Sequence, residues 1–154
     1  RKAAEKEIEQ LFIKNKKIDP YFVEDGAIEA GVQELRKDLS PESKAYFHTY
    51  KYKNELAAYI KVKPLSETEM YVGSFNADPE VRGSVSKILA DEIIKTYGSQ
   101  YDLVADAISG SPTERWYIQS YGFKPTGEVE EFGGINYAKL VRPMDREKSL
   151  AKSA

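Results

Sequence analysis

The spacing of apolar residues changes twice along this chain, and the changes divide it into segments. In "RKAAEKEIEQLFIKNK", residues 1 to 16, Ile8, Leu11 and Phe12 fall on one helical stripe with charges around it. "IDPYFVEDGA" breaks the pattern at Asp19-Pro20. A second helix, about 24 to 38, carries Ile28, Val32 and Leu35, and "LSPES" ends it. From Lys44 the period becomes two. "KAYFHTYKYK" predicts a strand, Asn54 and Glu55 a turn, and "LAAYIKVK" the antiparallel partner. "EMYVGSFNA" predicts a third strand. Its internal Gly73 points to a bulge or a close backbone approach.

The helical period returns at about residue 84. Val85, Ile88, Leu89 and Ile93 form one apolar face up to about 97, with Gly98 as the C-cap. "YDLVADAI" is nearly continuous in apolar residues, as a buried parallel strand is. In "SGSPTERWYIQSY", Ser111 is the expected N-cap, Pro112 the first helical residue and Glu114 the third member of a capping box. Gly122 stops that helix. "FKPTGEVEEFGG" and "INYAKLVR" predict a final hairpin, and the tail "MDREKSLAKSA" is expected to fray. A strand, helix, strand unit in one sheet pairs its strands in parallel through a right-handed crossover. The expected fold is therefore α/β (α+β): a mixed sheet with a central parallel strand pair, antiparallel hairpins, and helices on both faces.

Composition narrows the classes. The 154 residues, 41% hydrophobic and 31% charged, suit one soluble globular domain. No apolar run approaches the ~20 residues of a membrane span, and the N-terminal segment is polar, so no membrane partner is expected. A formal net charge of -2 argues against nucleic acid as the main partner. With no Cys and one His, the chain offers no disulfide, cysteine nucleophile or thiolate metal site, and no metal is expected. A reducing, cytoplasmic location fits this. The start at Arg1 suits a piece of a longer protein.

Two stretches, together with the hairpin, strand and helix order itself, carry a family resemblance. "NADPEVRGS" is similar to the strand end and phosphate loop V-x-P-x-x-R-G-x-G-x-G of the GNAT superfamily, the acyl-CoA-dependent N-acyltransferases; Ala77, Pro79, Arg82 and Gly83 fall in place. "SPTERWYIQSYGF" resembles that family's N-x-x-A-x-x-x-Y-x-x-x-G-F segment at Ser111, Arg115, Gly122 and Phe123. The resemblance covers about residues 24 to 143. It departs from the pattern in keeping only Gly83 of the loop glycines, and in placing Ile118 where the family has a frequent acid Tyr, with Tyr117 adjacent. The domain division it suggests is a helical extension over 1–20, a GNAT-like domain over 21–143 and a tail over 144–154.

The resemblance implies acetyl-CoA as co-substrate and an amine-bearing acceptor that attacks the thioester directly. Pyrophosphate binding needs converging backbone N–H groups and a helix N-terminus. Arg82, Gly83, Ser84, Val85 and Ser86 are the expected cradle, and an ordinary strand-to-helix turn is the alternative. Phe75, Asn76 and Ala77 would lie along the pantetheine arm, where an N–H near a bulge would polarise the carbonyl. Ser111 occupies the position of a family Asn near the arm. His48, Glu69 and Tyr117 are the candidates for proton transfer, and Tyr121 is a further candidate acid. Packing of the tyrosines in the core and a half-exposed strand histidine are the plain alternatives. Tyr46, His48, Tyr50 and Tyr52 share a strand face that either lines an acceptor pocket or packs under the N-terminal helices. A homodimer is compatible with all of this. Two rival readings stand: a GNAT-fold domain that has lost catalysis and serves as an interaction module of a longer protein, and an unrelated mixed α/β domain that binds a peptide at a sheet edge. An unbroken sheet would support the latter, and a splay between "YVGSFNA" and "YDLVADAI" would count against it.

Overall fold

The computed structural model describes residues 2–22, 26–81 and 84–145. Its elements are α1 (Lys2–Lys17), α2 (Ala27–Leu39), β1 (Tyr46–Tyr52), β2 (Glu55–Pro64), β3 (Glu69–Ala77), α3 (Ser84–Tyr97), β4 (Asp102–Ile108), α4 (Pro112–Tyr121), β5 (Lys124–Phe132) and β6 (Ile135–Arg142). One sheet holds the strands in the order β1-β2-β3-β4-β6-β5. β3 and β4 are parallel and the other pairs are antiparallel. The mixed sheet with a central parallel pair is therefore as the periodicity predicts. Among the described residues no helix is long and apolar enough to cross a membrane.

The alternation of the central strands separates two cores. Ala58, Ile60 and Val62 of β2, with Leu103, Ala105 and Ala107 of β4, pack against Val85, Leu89 and Ile93 of α3 and Tyr117 of α4. The opposite face carries Tyr59, covered by Ile8, Leu11 and Phe12 of α1 and Val32 and Leu35 of α2. Helices thus cover both faces. Gly31 lets α1 and α2 close together, because a Cβ there would stand 2.5 Å from the Phe12 ring tip.

Local signals fix most element ends. Ser111 Oγ accepts from the Glu114 N–H at 3.2 Å, and the Glu114 carboxylate accepts from Gly110 N–H at 3.0 Å, one residue upstream of the usual capping box. Gly122 closes α4 with φ 74. Four expectations shift. The first hairpin turns on Lys53 and Asn54, both left-handed, not on Asn54 and Glu55. Gly98 follows α3 without a left-handed φ. Ile88 is 46% exposed, because Ala90 joins Val85, Leu89 and Ile93 and rotates the buried face away from it. The aromatic stripe on β1 lies on the α3 face: Tyr50 packs on that core, while Phe47 packs beneath the N-terminal helices. The expected helix start at residues 24 and 25, and tail residues 146–154, lie outside the described residues.

Candidate active site at the fork of the sheet

The parallel pair does not run its full length. β3 and β4 are in register at Glu69–Asp102, Met70–Leu103 and Tyr71–Val104, and pair no further. β3 then stays with β2 as far as Ala77, and β4 stays with β6 as far as Ile108. The sheet forks there, which is the splay that counts against an edge-binding domain with an unbroken sheet. The fork opens a cleft of about 800 Å³, within the range of small-molecule sites.

A bulge shapes the β3 wall of the fork. Lys61 faces Gly73 and Tyr59 faces Asn76, so β3 carries one residue more than β2 between these pairs. The left-handed residue is Ser74, with φ 50, and not Gly73. Gly73 is needed for another reason: a Cβ there would meet Tyr71 Cζ at 2.6 Å. The extra residue inverts the alternation. Met70 and Val72 face the α3 core before the bulge. Beyond it Ala77 joins that core, and Asn76 turns to the α1 face, where its amide donates to Tyr59 Oη at 2.9 Å.

Of the residues expected to bind a cofactor, Phe75, Asn76, Ala77, Ser86 and Ser111 line the cleft. Phe75 meets Trp116 edge to face at 5.5 Å between centroids. Ser84 opens α3 and is exposed, while the Val85 side chain is buried in the core and leaves only its backbone for a ligand. No acidic residue stands in the first turn of α3, so its partial positive charge is not neutralised there. The Asp78 carboxylate just upstream is paired with Lys14 Nζ at 3.2 Å. Arg82 and Gly83 lie outside the described residues.

The candidates for proton transfer separate. Tyr117 lines the cleft and is buried. Burial, then the neighbouring Asp106, hold its phenol far above the usual range. His48 and Glu69 are not among the lining residues. His48 Nε2 is hydrogen-bonded to Tyr97 Oη at 2.7 Å, near the far end of α3, and burial lowers its pKa. Glu69 begins β3, roughly 26 Å of strand away from Ala77 at ~3.3 Å per residue. Tyr121 is also absent from the lining, and burial followed by Asp91 pushes its phenol up to about 12.

In their place the fork presents a polar row that the sequence reading did not single out. Lys61, Tyr71 and Asp106 stand on adjacent strands and all line the cleft. Lys61 forms an ion pair with Asp38 of α2 and lies over the Tyr71 ring at 5.1 Å. Asp106 is two residues past Val104, the last β4 residue paired with β3. Burial raises its carboxyl above the ordinary range, against the lowering by Tyr71, Lys139 and Lys61. Glu34 and Glu130 add carboxylates to the same walls. One signal was available in the sequence: Asp106 is the charge that interrupts "LVADAI".

The sequence matches no family model and no curated protein. The structure is similar to solved acyltransferases. Ard1 from Thermoplasma volcanium superposes with a TM-score of 0.63 at 20% identity, over 90% of this chain and 91% of that one. PaiA N-acetyltransferase from Thermoplasma acidophilum, in complex with coenzyme A, gives 0.63 at 15%, over 90% and 92%. A GNAT family acetyltransferase from Elizabethkingia anophelis with acetyl-CoA bound gives 0.55 at 18%, over 80% and 87%. At these identities the likeness establishes the fold, and the fold is that of the GNAT acetyltransferases.

Proposed function

We propose that this GNAT-fold chain is an N-acyltransferase that moves an acetyl group from acetyl-CoA to an amine. The observation that carries the reading is the fork itself, with a bulged strand on one wall and an un-neutralised helix N-terminus opening beside it. The solved structures with coenzyme A and acetyl-CoA bound are consistent with it.

In this reading the first turn of α3, at Ser84, Val85 and Ser86, holds the pyrophosphate with backbone N–H groups. Arg82 and Gly83 share that role by their resemblance to the family loop. The fork-facing backbone of Phe75 and Ala77, with Asn76 holding the strand to β2 between them, pairs with the pantetheine arm and donates to the thioester oxygen. Ser111 flanks the arm. Its Oγ already accepts from Glu114 N–H, so its own proton is free to donate.

The acceptor enters from the α1 and α2 side, where carboxylates outnumber lysines in the cleft wall and favour an amine. The amine nitrogen attacks the thioester carbon, the C–S bond breaks, and the amine gives up a proton. Asp106 takes that proton, because its raised carboxyl is a stronger base than an exposed one. Asp106 thereby replaces His48 and Glu69, which nothing in the geometry brings to the fork. The Tyr117 phenol is too weak an acid to protonate a thiolate whose ordinary pKa is about 8.5, so its part is to donate a hydrogen bond.

The test is calorimetric titration with acetyl-CoA of the wild type and of Ser86→Glu. The new carboxylate suits the start of a helix and leaves the fold intact, but it repels a pyrophosphate. Micromolar binding, weakened about tenfold or more in the variant, is the expected result. Absence of heat and of thermal stabilisation at millimolar acetyl-CoA would leave the domain as an interaction module.

A further inference from the structure

The open edge of β3 is capped from a distant part of the chain. The Asp78 N–H donates to the Ala57 carbonyl of β2 at 2.7 Å. The Ala77 carbonyl belongs to the same trans peptide and points the opposite way, into the fork. In a closed sheet the next strand would supply its donor, but β4 has already diverged. The donor comes from α1. Asn15 Nδ2 reaches the Ala77 carbonyl at 2.9 Å and Asn76 Oδ1 at 3.2 Å. The Asn76 amide in turn donates to Tyr59 Oη at 2.9 Å and to the Ser74 carbonyl at 3.4 Å, across the bulge.

This network is dry. Asn15, Asn76 and Tyr59 are 6%, 4% and 0% exposed, so water does not replace its hydrogen bonds. Asn15 Oδ1 has no partner among the described residues, so the side chain is held in place by what its amide hydrogens bind. In extended backbone a residue's N–H and C=O face the same edge. With the Ala77 carbonyl occupied by Asn15, the Ala77 N–H remains on that edge for a ligand.

We infer that Asn15 is a positioning residue. It caps the Ala77 carbonyl and, through Asn76, holds Ser74 in its left-handed turn, which fixes the direction of the ligand-facing N–H. The clamp stands on the hydrogen bonds alone; that its ligand is a thioester carbonyl rests on the acyl-CoA reading above. α1 is then a working wall of the site, although Asn15 lies 62 residues before the Ala77 it holds.

The test uses wild type, Asn15→Leu and Tyr59→Phe. Leu nearly matches the shape of Asn and removes both amide donors. Amide hydrogen exchange of the free proteins is read by NMR. At Asn76 and Asp78 it should quicken about tenfold or more in Asn15→Leu and remain unchanged at Val72, which marks a local release. Uniform acceleration, or none, overturns the clamp. If Asn15→Leu does not fold, Tyr59→Phe decides, because it removes the outer anchor of Asn76 alone; the same local pattern, weaker, is expected, and its absence is fatal. The second readout compares acetyl-CoA with CoA. The wild-type difference in the Ala77 amide shift between the two should vanish in Asn15→Leu, while CoA affinity stays within about threefold. Its persistence overturns the positioning role. If the wild type binds neither compound, the acyl-CoA reading has failed, and exchange alone decides the clamp.

Discussion

Asp106 places a charge between Ala105 and Ala107 of β4, and the cost and use of that charge can be measured separately. Its folded-state pKa lies above the ordinary value, mainly through burial. Between the ordinary value and the raised one, the native chain therefore holds a proton that the unfolded chain has released, and above both the carboxylate is ionised in either state. Stability from this group is complete below the ordinary Asp value of about 3.9 and is lost as pH rises through the raised folded value. Asp106→Asn removes that loss. Its Tm advantage over wild type should be absent near pH 3.5 and grow toward neutrality, while the proposed acetyl transfer should fall by about 10²–10⁴. A Tm difference independent of pH would mean that the carboxyl does not titrate abnormally. Unchanged transfer would remove Asp106 from the reaction.

At the scale of elements, the bulge on β3 joins local sequence to distant structure. Gly73 makes room for the Tyr71 ring, which stands under Lys61 and beside Asp106. Gly73→Ala forces that ring away in a packed site and should cost about 1–3 kcal/mol, read from urea unfolding; a loss below about 0.5 kcal/mol would show that the ring moves freely. The same strand shows what the sequence discloses. Gly73 announces a bulge, but the backbone strain falls on Ser74, because the Tyr71 ring and the Asn76 amide decide the local geometry. The caps of α4 are legible, since Ser111, Pro112, Glu114 and Gly122 act within a few residues of one another. Ile88 was misplaced because a helical stripe fixes a face only to within a residue at its border, and tertiary contact with Ala90 settles the rest. Asn15, Lys61 and Asp106 acquire meaning only when three distant segments meet, and no spacing rule in one sequence encodes that meeting.

At the scale of the molecule, one sheet is shared by two cores, and loss of either face should unfold both. Leu11 belongs to the α1 and α2 layer, and Trp116 packs on the α3 and α4 layer. Leu11→Ala should cost about 2–5 kcal/mol. Trp116 fluorescence and far-ultraviolet circular dichroism should still report one coincident transition. Separate transitions would show that the N-terminal layer unfolds independently of the rest. The fold was readable from the order of periods, since a helix between two apolar strands imposes a parallel pair. Where that pair would part was not, because parting depends on β4 finding β6 rather than β3 beyond Val104.

The strand order has a consequence for how the molecule is made. β6 lies between β4 and β5, so β5 leaves the ribosome before the strand that must seat it. Until β6 is synthesised, the hydrogen-bonding edge of β4 stays open and one side of the fork is unsupported. Pairings between segments distant in sequence are slow to form and expose sticky edges while they wait. A ligand of the cleft therefore cannot serve as a template early in synthesis: the cleft is completed by the last strand to be made, and a nascent chain stalled before Ile135 should remain a client of chaperones whatever the ligand concentration.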